Sequence, residues 1–498
     1  MTKKFSAQNL IIGALMVVSG LATSCKKSAV SPDGGTATTP ATPGTRAELT
    51  RDSIYLYAQQ TYFWNVGMPS YATFNPRQYA TNDAVLAAIK ALPSTGGKDK
   101  YSFIDDGTVA SQLGGVSGDF GFSIFFNSAN DLRIKYVYPS SPASAQGLKR
   151  GYQITKVNGN TNINTSDASI NAIVDAVFGT NPTVSLTVVK SDGSSQDVII
   201  TRGSYNINPV LYTNTFTAGT KKVGYIVFNS FTTNSTSLLD AAFTKFASDG
   251  ISELIVDLRY NGGGSVATSE AFTNLVAPVA QNGKVMYTTY WTKTMQDKQA
   301  TILTNQKFYQ TGADGVKRLF SFFDYDYAPT ATAGNQEVFT KRGSVNNLSR
   351  VYFIVTASTA SASELLINNL KPVMDVKLIG RKTYGKPVGF FSIRIDKNDL
   401  YIPQFQTKNQ LNQGDYFDGM AVDKDIADDV TKDFGDPAEK LLAQALNYSV
   451  SGSFTSFLKD NTLSSTSALS RTQTEDLTGR MDHEFKGMVE TRKLKLNK

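Results

Sequence analysis

Leu254-Ile255-Val256-Asp257-Leu258-Arg259-Tyr260-Asn261-Gly262-Gly263-Gly264 starts as an unbroken apolar run and ends in three glycines. A short continuous apolar run, as opposed to an alternating one, is the pattern of a strand buried on both faces. Val351-Tyr352-Phe353-Ile354-Val355 and the stretch from Val376 to Ile379 repeat it downstream, and Val223-Gly224-Tyr225-Ile226-Val227-Phe228 precedes it. Between the first two runs, Leu238, Leu239, Ala242, Phe243 and Phe246 recur at helical spacing. Strand, helix and strand in succession predict an α/β core over about 206–447, with helices packed on a sheet. An aromatic, polar and irregular stretch near 283–345 reads as an insertion or lid within it.

The glycines at the end of the opening run let the backbone approach another group closely. A glycine turn that leads into a helix also aims N–H groups at one spot, where they can stabilise an oxyanion, and one such donor contributes about 3 kcal/mol. A tight strand-to-helix turn needs glycines for backbone reasons alone, so this stretch does not define a chemistry by itself.

Two other stretches sharpen the reading. Ser361 lies in Ser358-Thr359-Ala360-Ser361-Ala362-Ser363-Glu364, and Lys386 follows in Thr383-Tyr384-Gly385-Lys386. A serine hydroxyl needs a neighbouring base to become a nucleophile, and that base is commonly histidine. The chain of 498 residues has one histidine, His483, in a charged and polar C-terminal stretch. That argues against a Ser-His-Asp enzyme and against a histidine-built metal site, and it leaves lysine as the base. Lys386 must be neutral to serve, and Gly385, Pro387, Val388, Gly389, Phe390 and Phe391 around it carry no charge, the desolvated setting that lowers a lysine pKa. Ser361-Ala362-Ser363-Glu364 also matches a capping box, with the serine oxygen on the Glu364 N–H and the glutamate reaching back. That would start a helix from Glu364 to Leu370, ahead of Pro372.

Upstream, residues 113–205 read as β-rich, with alternating segments at Phe120 to Phe126, Leu132 to Val137, Tyr152 to Val157, Val184 to Val189 and Asp197 to Thr201. Ser141-Pro142-Ala143, the run Ala145 to Gly151 and Val157-Asn158-Gly159 resemble a bacterial, circularly permuted PDZ domain. That resemblance implies a groove that takes an extended peptide, with Asp119, Phe120, Gly121 and Phe122 in the loop that holds a terminal carboxylate. Asp119 stands where glycine is often found. Residues 49–112 read as a small helical N-terminal domain, with Ile54, Tyr55, Tyr57, Ala58, Tyr62, Phe63 and Trp64 on one packed helix and a second helix from Asp83 to Leu92.

Residues 1–25 read as an export signal: Lys3 and Lys4, an apolar run from Leu10 to Leu21 too short for the about 20 residues of a bilayer span, then Ala22-Thr23-Ser24-Cys25. This resembles a lipoprotein signal, which implies lipidation of Cys25, the only cysteine, and an exported protein on a membrane of the cell envelope. Residues 26–48, rich in Thr, Pro, Gly, Ser and Ala, read as a flexible tether. Residues 448–498 read as a C-terminal tail, helical or loosely ordered. With 41% hydrophobic and 18% charged residues the chain supports a core, and its net charge of +7 is spread without a basic stripe, which argues against nucleic acid as a partner.

Together, the Asp99 to Ile104 segment, the PDZ-like segment, Asp-Leu-Arg-x-Asn-x-Gly-Gly, Ser-Ala-Ser-Glu and Thr-Tyr-Gly-Lys resemble, in order, the C-terminal processing peptidases, or tail-specific proteases. The resemblance implies a crotonase-like core, a spiral of ββα units, acting on polypeptide substrates without metal or organic cofactor. By residue it implies Ser361 as nucleophile, Lys386 as general base, and an oxyanion hole from Gly263 or Gly264 and Ala362. The family also uses a glutamate three residues after the serine, matching Glu364, or a glutamine four residues after the lysine, where this chain has Phe390. Two other readings stay open: a peptide-binding lipoprotein with a weak or inactive protease core, motivated by Phe390 and Asp119, and a crotonase-type enzyme acting on an acyl thioester.

Overall fold

In the computed structural model, which describes residues 43–312, 314–455, 473, 477, 479–491 and 494–496, the four apolar runs lie side by side in one sheet. Its six strands run in the order Lys424–Asp425, Asp375–Gly380, Arg350–Val355, Glu253–Asp257, Lys221–Phe228 and Val210–Ala218. Every neighbouring pair is parallel except the last, in which Val210–Ala218 runs antiparallel to Lys221–Phe228. Successive side chains point to opposite faces. Ile226, Leu254, Val256, Val351, Phe353 and Val355 pack into one core with the helices Ser235–Asp249, Val266–Val276 and Ala362–Leu370. Val223, Tyr225, Ile255, Tyr352 and Ile354 pack into another beneath the helix Lys440–Ser451. Burial on both faces explains why these strands show no polar alternation.

The first helix, Arg46–Thr61, begins inside the stretch read as tether. Its start is set by a capping box, in which the Glu48 N–H donates to Thr45 Oγ1 and the Thr45 N–H to Glu48 Oε2. Ile54, Tyr55, Tyr57 and Ala58 bury into the core that the sheet shares with its helices, so the helical segment has no separate interior. The second helix is Asn82–Lys90. Phe103–Asp105 then pairs antiparallel with Asn398–Tyr401, which ties this segment to the chain beyond Lys386.

In the β-rich segment five antiparallel strands, Phe122–Ser128, Asp131–Val137, Gln153–Val157, Thr183–Val189 and Ser195–Thr201, lie in sequence order. The helix Asp167–Phe178 packs Ile170, Ile173 and Val177 against Ile124, Ile134 and Leu186. The stretch 283–345 is more than a lid. Its strand Val285–Trp291 pairs with Phe405–Asn409, which pairs in turn with Val388–Gly389, just past Lys386.

In the C-terminal stretch the described residues 473, 477 and 479–481 are helical, in keeping with the expected helix, but a strand follows that was not expected. Among its described residues, Gly487–Val489 is a strand paired in parallel with Gly263–Ser265. The glycine strand has one edge bonded to Phe231 and would otherwise leave the other unpaired. Cys25, the rest of the stretch 1–25 read as an export signal, and residues 26–42 of the stretch read as tether lie outside the described residues.

Candidate active site

The strand Glu253–Asp257 delivers the chain to a turn held by Asn261. Its Nδ2 donates to the Phe228 carbonyl at 2.9 Å, and its Oδ1 accepts the Gly263 N–H at 2.9 Å. Gly263 and Gly264 have φ of 107° and 138°. A Cβ on Gly264 would stand 2.4 Å from the Phe231 carbonyl oxygen, so the turn requires glycine there. A Cβ on Gly263 would stand 2.9 Å from the Ala362 nitrogen, so two of the expected oxyanion-hole residues meet at one corner. Beneath the turn, the buried Arg259 guanidinium pairs with Asp257, Asp428 and Glu439.

Ser361 sits at the start of the helix Ala362–Leu370 with φ 63° and ψ −108°, a strained conformation for a residue with a side chain. It is fully buried, and its Oγ has no hydrogen-bond partner. The expected capping box is in place, with the Ser361 N–H donating to Glu364 Oε2 at 2.8 Å and the serine side chain set against the Glu364 backbone, yet the hydroxyl completes no hydrogen bond of its own. A buried hydroxyl left unpaired costs about 1–3 kcal/mol, which a purely structural serine would not retain.

Lys386 is fully buried in the turn after Gly385. Its amine lies 4.0 Å from the centre of the Phe390 ring and 5.5 Å from that of Tyr101. Burial pushes the amine well below the ordinary lysine range, with Asp99 and Glu364 opposing the shift. The Tyr101 hydroxyl donates to the Gly385 carbonyl at 2.5 Å and steadies the turn. The Lys386 amine donates to the Lys486 carbonyl at 2.7 Å, and not to Ser361.

Glu364 joins the two residues. Its Oε2 accepts the backbone N–H of both Ser361 and Lys386, at 2.8 and 2.7 Å, while Oε1 accepts the Thr383 hydroxyl at 2.5 Å and the Gly385 N–H at 2.7 Å. Burial raises its pKa, and these four donors pull it back. The glutamate thus positions the lysine through its backbone, without holding its amine. Phe390, where the resemblance allows a glutamine, lays its ring against that amine. Thr383, Asn261 and Tyr101 lay inside stretches that the sequence made conspicuous, yet nothing in their type announced these bonds.

In the β-rich segment the loop from Asp119 to Phe122 borders a cavity of about 350 Å³ that also reaches Tyr138, Gly262 and Phe485. Asp119 turns its carboxylate onto its own loop: Oδ1 accepts the Gly121 N–H at 2.7 Å and the Tyr205 hydroxyl at 2.7 Å. Phe120 is covered by the Arg202 guanidinium at 4.4 Å. His483 stacks on Phe178 at 4.4 Å, within this same segment.

A "Probable CtpA-like serine protease" of Staphylococcus aureus is 26% identical over 338 residues, covering 67% of this chain and 58% of the relative. The chloroplastic C-terminal processing peptidase of Tetradesmus obliquus is 22% identical over 338 residues, covering 65% of this chain and 62% of its own. The chain therefore spans about three fifths of the length of each. A crystal structure of a candidate S41 protease from Bacteroides fragilis NCTC 9343 has the same fold, with a TM-score of 0.57 at 24% identity over 82% of this chain and 98% of that one. Residues 222–427, which carry most of the parallel sheet, the glycine turn, Ser361, Glu364 and Lys386, match the model of Peptidase family S41.

Proposed function

We propose that the chain is a serine endopeptidase that hydrolyses polypeptides by a Ser361–Lys386 dyad. The observation that carries this reading is the single Glu364 oxygen accepting the backbone N–H of both residues, which ties a strained serine with an unpartnered hydroxyl and a lysine with a desolvated amine to one carboxylate. The neutral Lys386 amine takes the Ser361 proton as Oγ bonds to the substrate carbonyl carbon. Of the N–H groups expected to receive the developing oxyanion, that of Gly263 is held by Asn261 Oδ1, which leaves those of Gly264 and Ala362 for the role. The C–N bond then breaks, the lysine ammonium gives its proton to the leaving amine, and a water activated by the same amine releases the acyl group. Every proton has a place in this sequence without a metal ion or an organic cofactor.

The core is read as crotonase-like, and the β-rich segment as a PDZ-like domain that presents extended polypeptide. Asp119 occupies its own loop, so recognition there rests on Phe120, Gly121 and Phe122 more than on capture of a terminal carboxylate. Cys25 is read as the lipidated residue of an exported, membrane-anchored protein with substrates in the cell envelope or outside it. The chain without its leader should cleave casein and label at Ser361 with a serine-directed phosphonate. Ser361→Ala and Lys386→Ala should each abolish cleavage, and undiminished cleavage by either variant would refute the dyad.

The peptide-binding alternative is favoured by one observation, that the Lys386 amine bonds Lys486. Phosphonate labelling separates the readings, since an inactive binder would leave Ser361 unmodified.

A further inference from the structure

The C-terminal residues cross the molecule as an extended polypeptide. Met481 is buried in the core of the β-rich segment. Asp482 pairs with Lys486 at 2.9 Å and accepts the Ser358 hydroxyl at 2.5 Å. Glu484 pairs with the buried Lys135 at 2.8 Å and accepts the hydroxyls of Ser123 and Tyr136 at 2.9 and 3.0 Å. The chain then lies between two backbone edges. On one side the Gly487 N–H donates to the Gly262 carbonyl at 3.0 Å, in the parallel register that sets Gly487 opposite Gly263 and Val489 opposite Ser265. On the other, the Phe390 N–H donates to the Met488 carbonyl at 3.0 Å and the Glu490 N–H to the Phe390 carbonyl at 2.9 Å.

These bonds place one carbonyl at the reactive corner. A Cβ built on Gly263 would lie 2.3 Å from the Gly487 oxygen as well as 2.9 Å from the Ala362 nitrogen. An extended substrate would have to present its carbonyl there, and Lys386 meanwhile gives its N–H to the preceding carbonyl, that of Lys486. Strand addition of this kind supplies affinity through backbone bonds and specificity through alternate side chains.

Resting on the dyad reading above, we propose that residues 482–491 are an intramolecular pseudo-substrate that fills the polypeptide cleft, so that the chain is held closed until a substrate or a processing event displaces its own C-terminal segment. The segment is not cut in this state because the amine points to the Lys486 carbonyl and leaves the Ser361 hydroxyl without a base. The arrangement also gives the polarity of a substrate strand, parallel to Gly263–Ser265.

The test uses two readouts. Hydrogen exchange on the full Ser361→Ala chain should show the Gly487 and Glu490 amides protected, and exchange at the rate of a free peptide would overturn the proposal. Phosphonate labelling of Ser361 should be about tenfold faster in Gly487→Pro, which has no N–H for Gly262, and in a chain lacking residues 484–498. Equal labelling rates in the wild type and both variants would also overturn it. If no form of the chain labels, the dyad reading fails, and exchange alone then decides whether the segment occupies the cleft. Folding of the truncated chain is not required, because the exchange measurement uses the full-length one.

Discussion

At the scale of single residues, Lys386 combines burial with a proposed task that needs a neutral amine. An amine held below its ordinary pKa binds a proton less readily in the folded chain than in the unfolded one. In the window between the lowered value and the reference value of 10.5, the unfolded state carries the additional proton. Stability therefore rises with pH through that window and is lost as the pH falls. Lys386→Met removes the titrating group, so it should abolish labelling of Ser361 while gaining less stability between pH 7 and pH 10 than the wild type, as measured by urea unfolding. Equal gains would mean that the amine titrates normally. Glu364 sets a second expectation. An amide in its place has one acceptor oxygen for four donors, and leaving two or more of them unpaired costs about 2–4 kcal/mol. Glu364→Gln should lower the unfolding free energy by that amount and slow labelling, and a variant as stable as the wild type would show that the four bonds carry little.

At the scale of elements, the turn before Lys386 is as constrained as the glycine turn opposite. Gly385 has φ 83°, and a Cβ there would lie 2.4 Å from both the Phe417 carbonyl oxygen and the Gly419 nitrogen. Gly283 has a similar φ of 78°, but nothing stands within 4 Å of its Cβ position. Gly283→Ala should therefore cost only the strain of a left-handed alanine, about 1 kcal/mol, with labelling unchanged. Gly385→Ala should cost more and slow labelling of Ser361 by shifting the lysine; equal effects of the two substitutions would show that the turn tolerates displacement. Elements with a strong period were readable in the sequence. The runs at 254–258 and 351–355 became central strands because two buried faces demand continuous apolar residues, and the five alternating segments of 113–205 each became a strand. The motifs holding Ser361, Lys386 and Gly263 came together as their order suggested. What could not be read was set by long-range pairing. The strand Gly487–Val489 has no period of its own and forms because a glycine edge more than two hundred residues away lacks a partner. The helix-cap pattern at Ser361 marked the start of its helix, but local spacing does not reveal the positive φ found there.

At the scale of the whole molecule, the β-rich segment is fastened to the core at the point where the glycine turn begins. Arg150, fully enclosed there, donates to the Tyr260 hydroxyl at 2.6 Å, to Asp428 at 3.1 Å and to the Lys432 carbonyl at 3.0 Å. Asp428 is shared with Arg259 of the glycine turn, and the two guanidinium groups hold its carboxyl near pKa 2 although burial alone would raise it. Removing one member of a buried ionic cluster leaves the others desolvated and costs about 3–5 kcal/mol, a loss moderated here because Arg259 still pairs with Asp428. Arg150→Met keeps the bulk and discards the bonds. Both tryptophans, Trp64 and Trp291, lie outside the β-rich segment, so their fluorescence reports on the core alone, whereas far-ultraviolet circular dichroism reports on all strands. In the wild type the two signals should move together on urea unfolding, as coupled bodies do. In Arg150→Met the dichroism should begin to fall at a lower urea concentration than the fluorescence, because the segment melts first once its fastening is lost. Coincident transitions in the variant would mean that packing, and not this cluster, couples the two bodies.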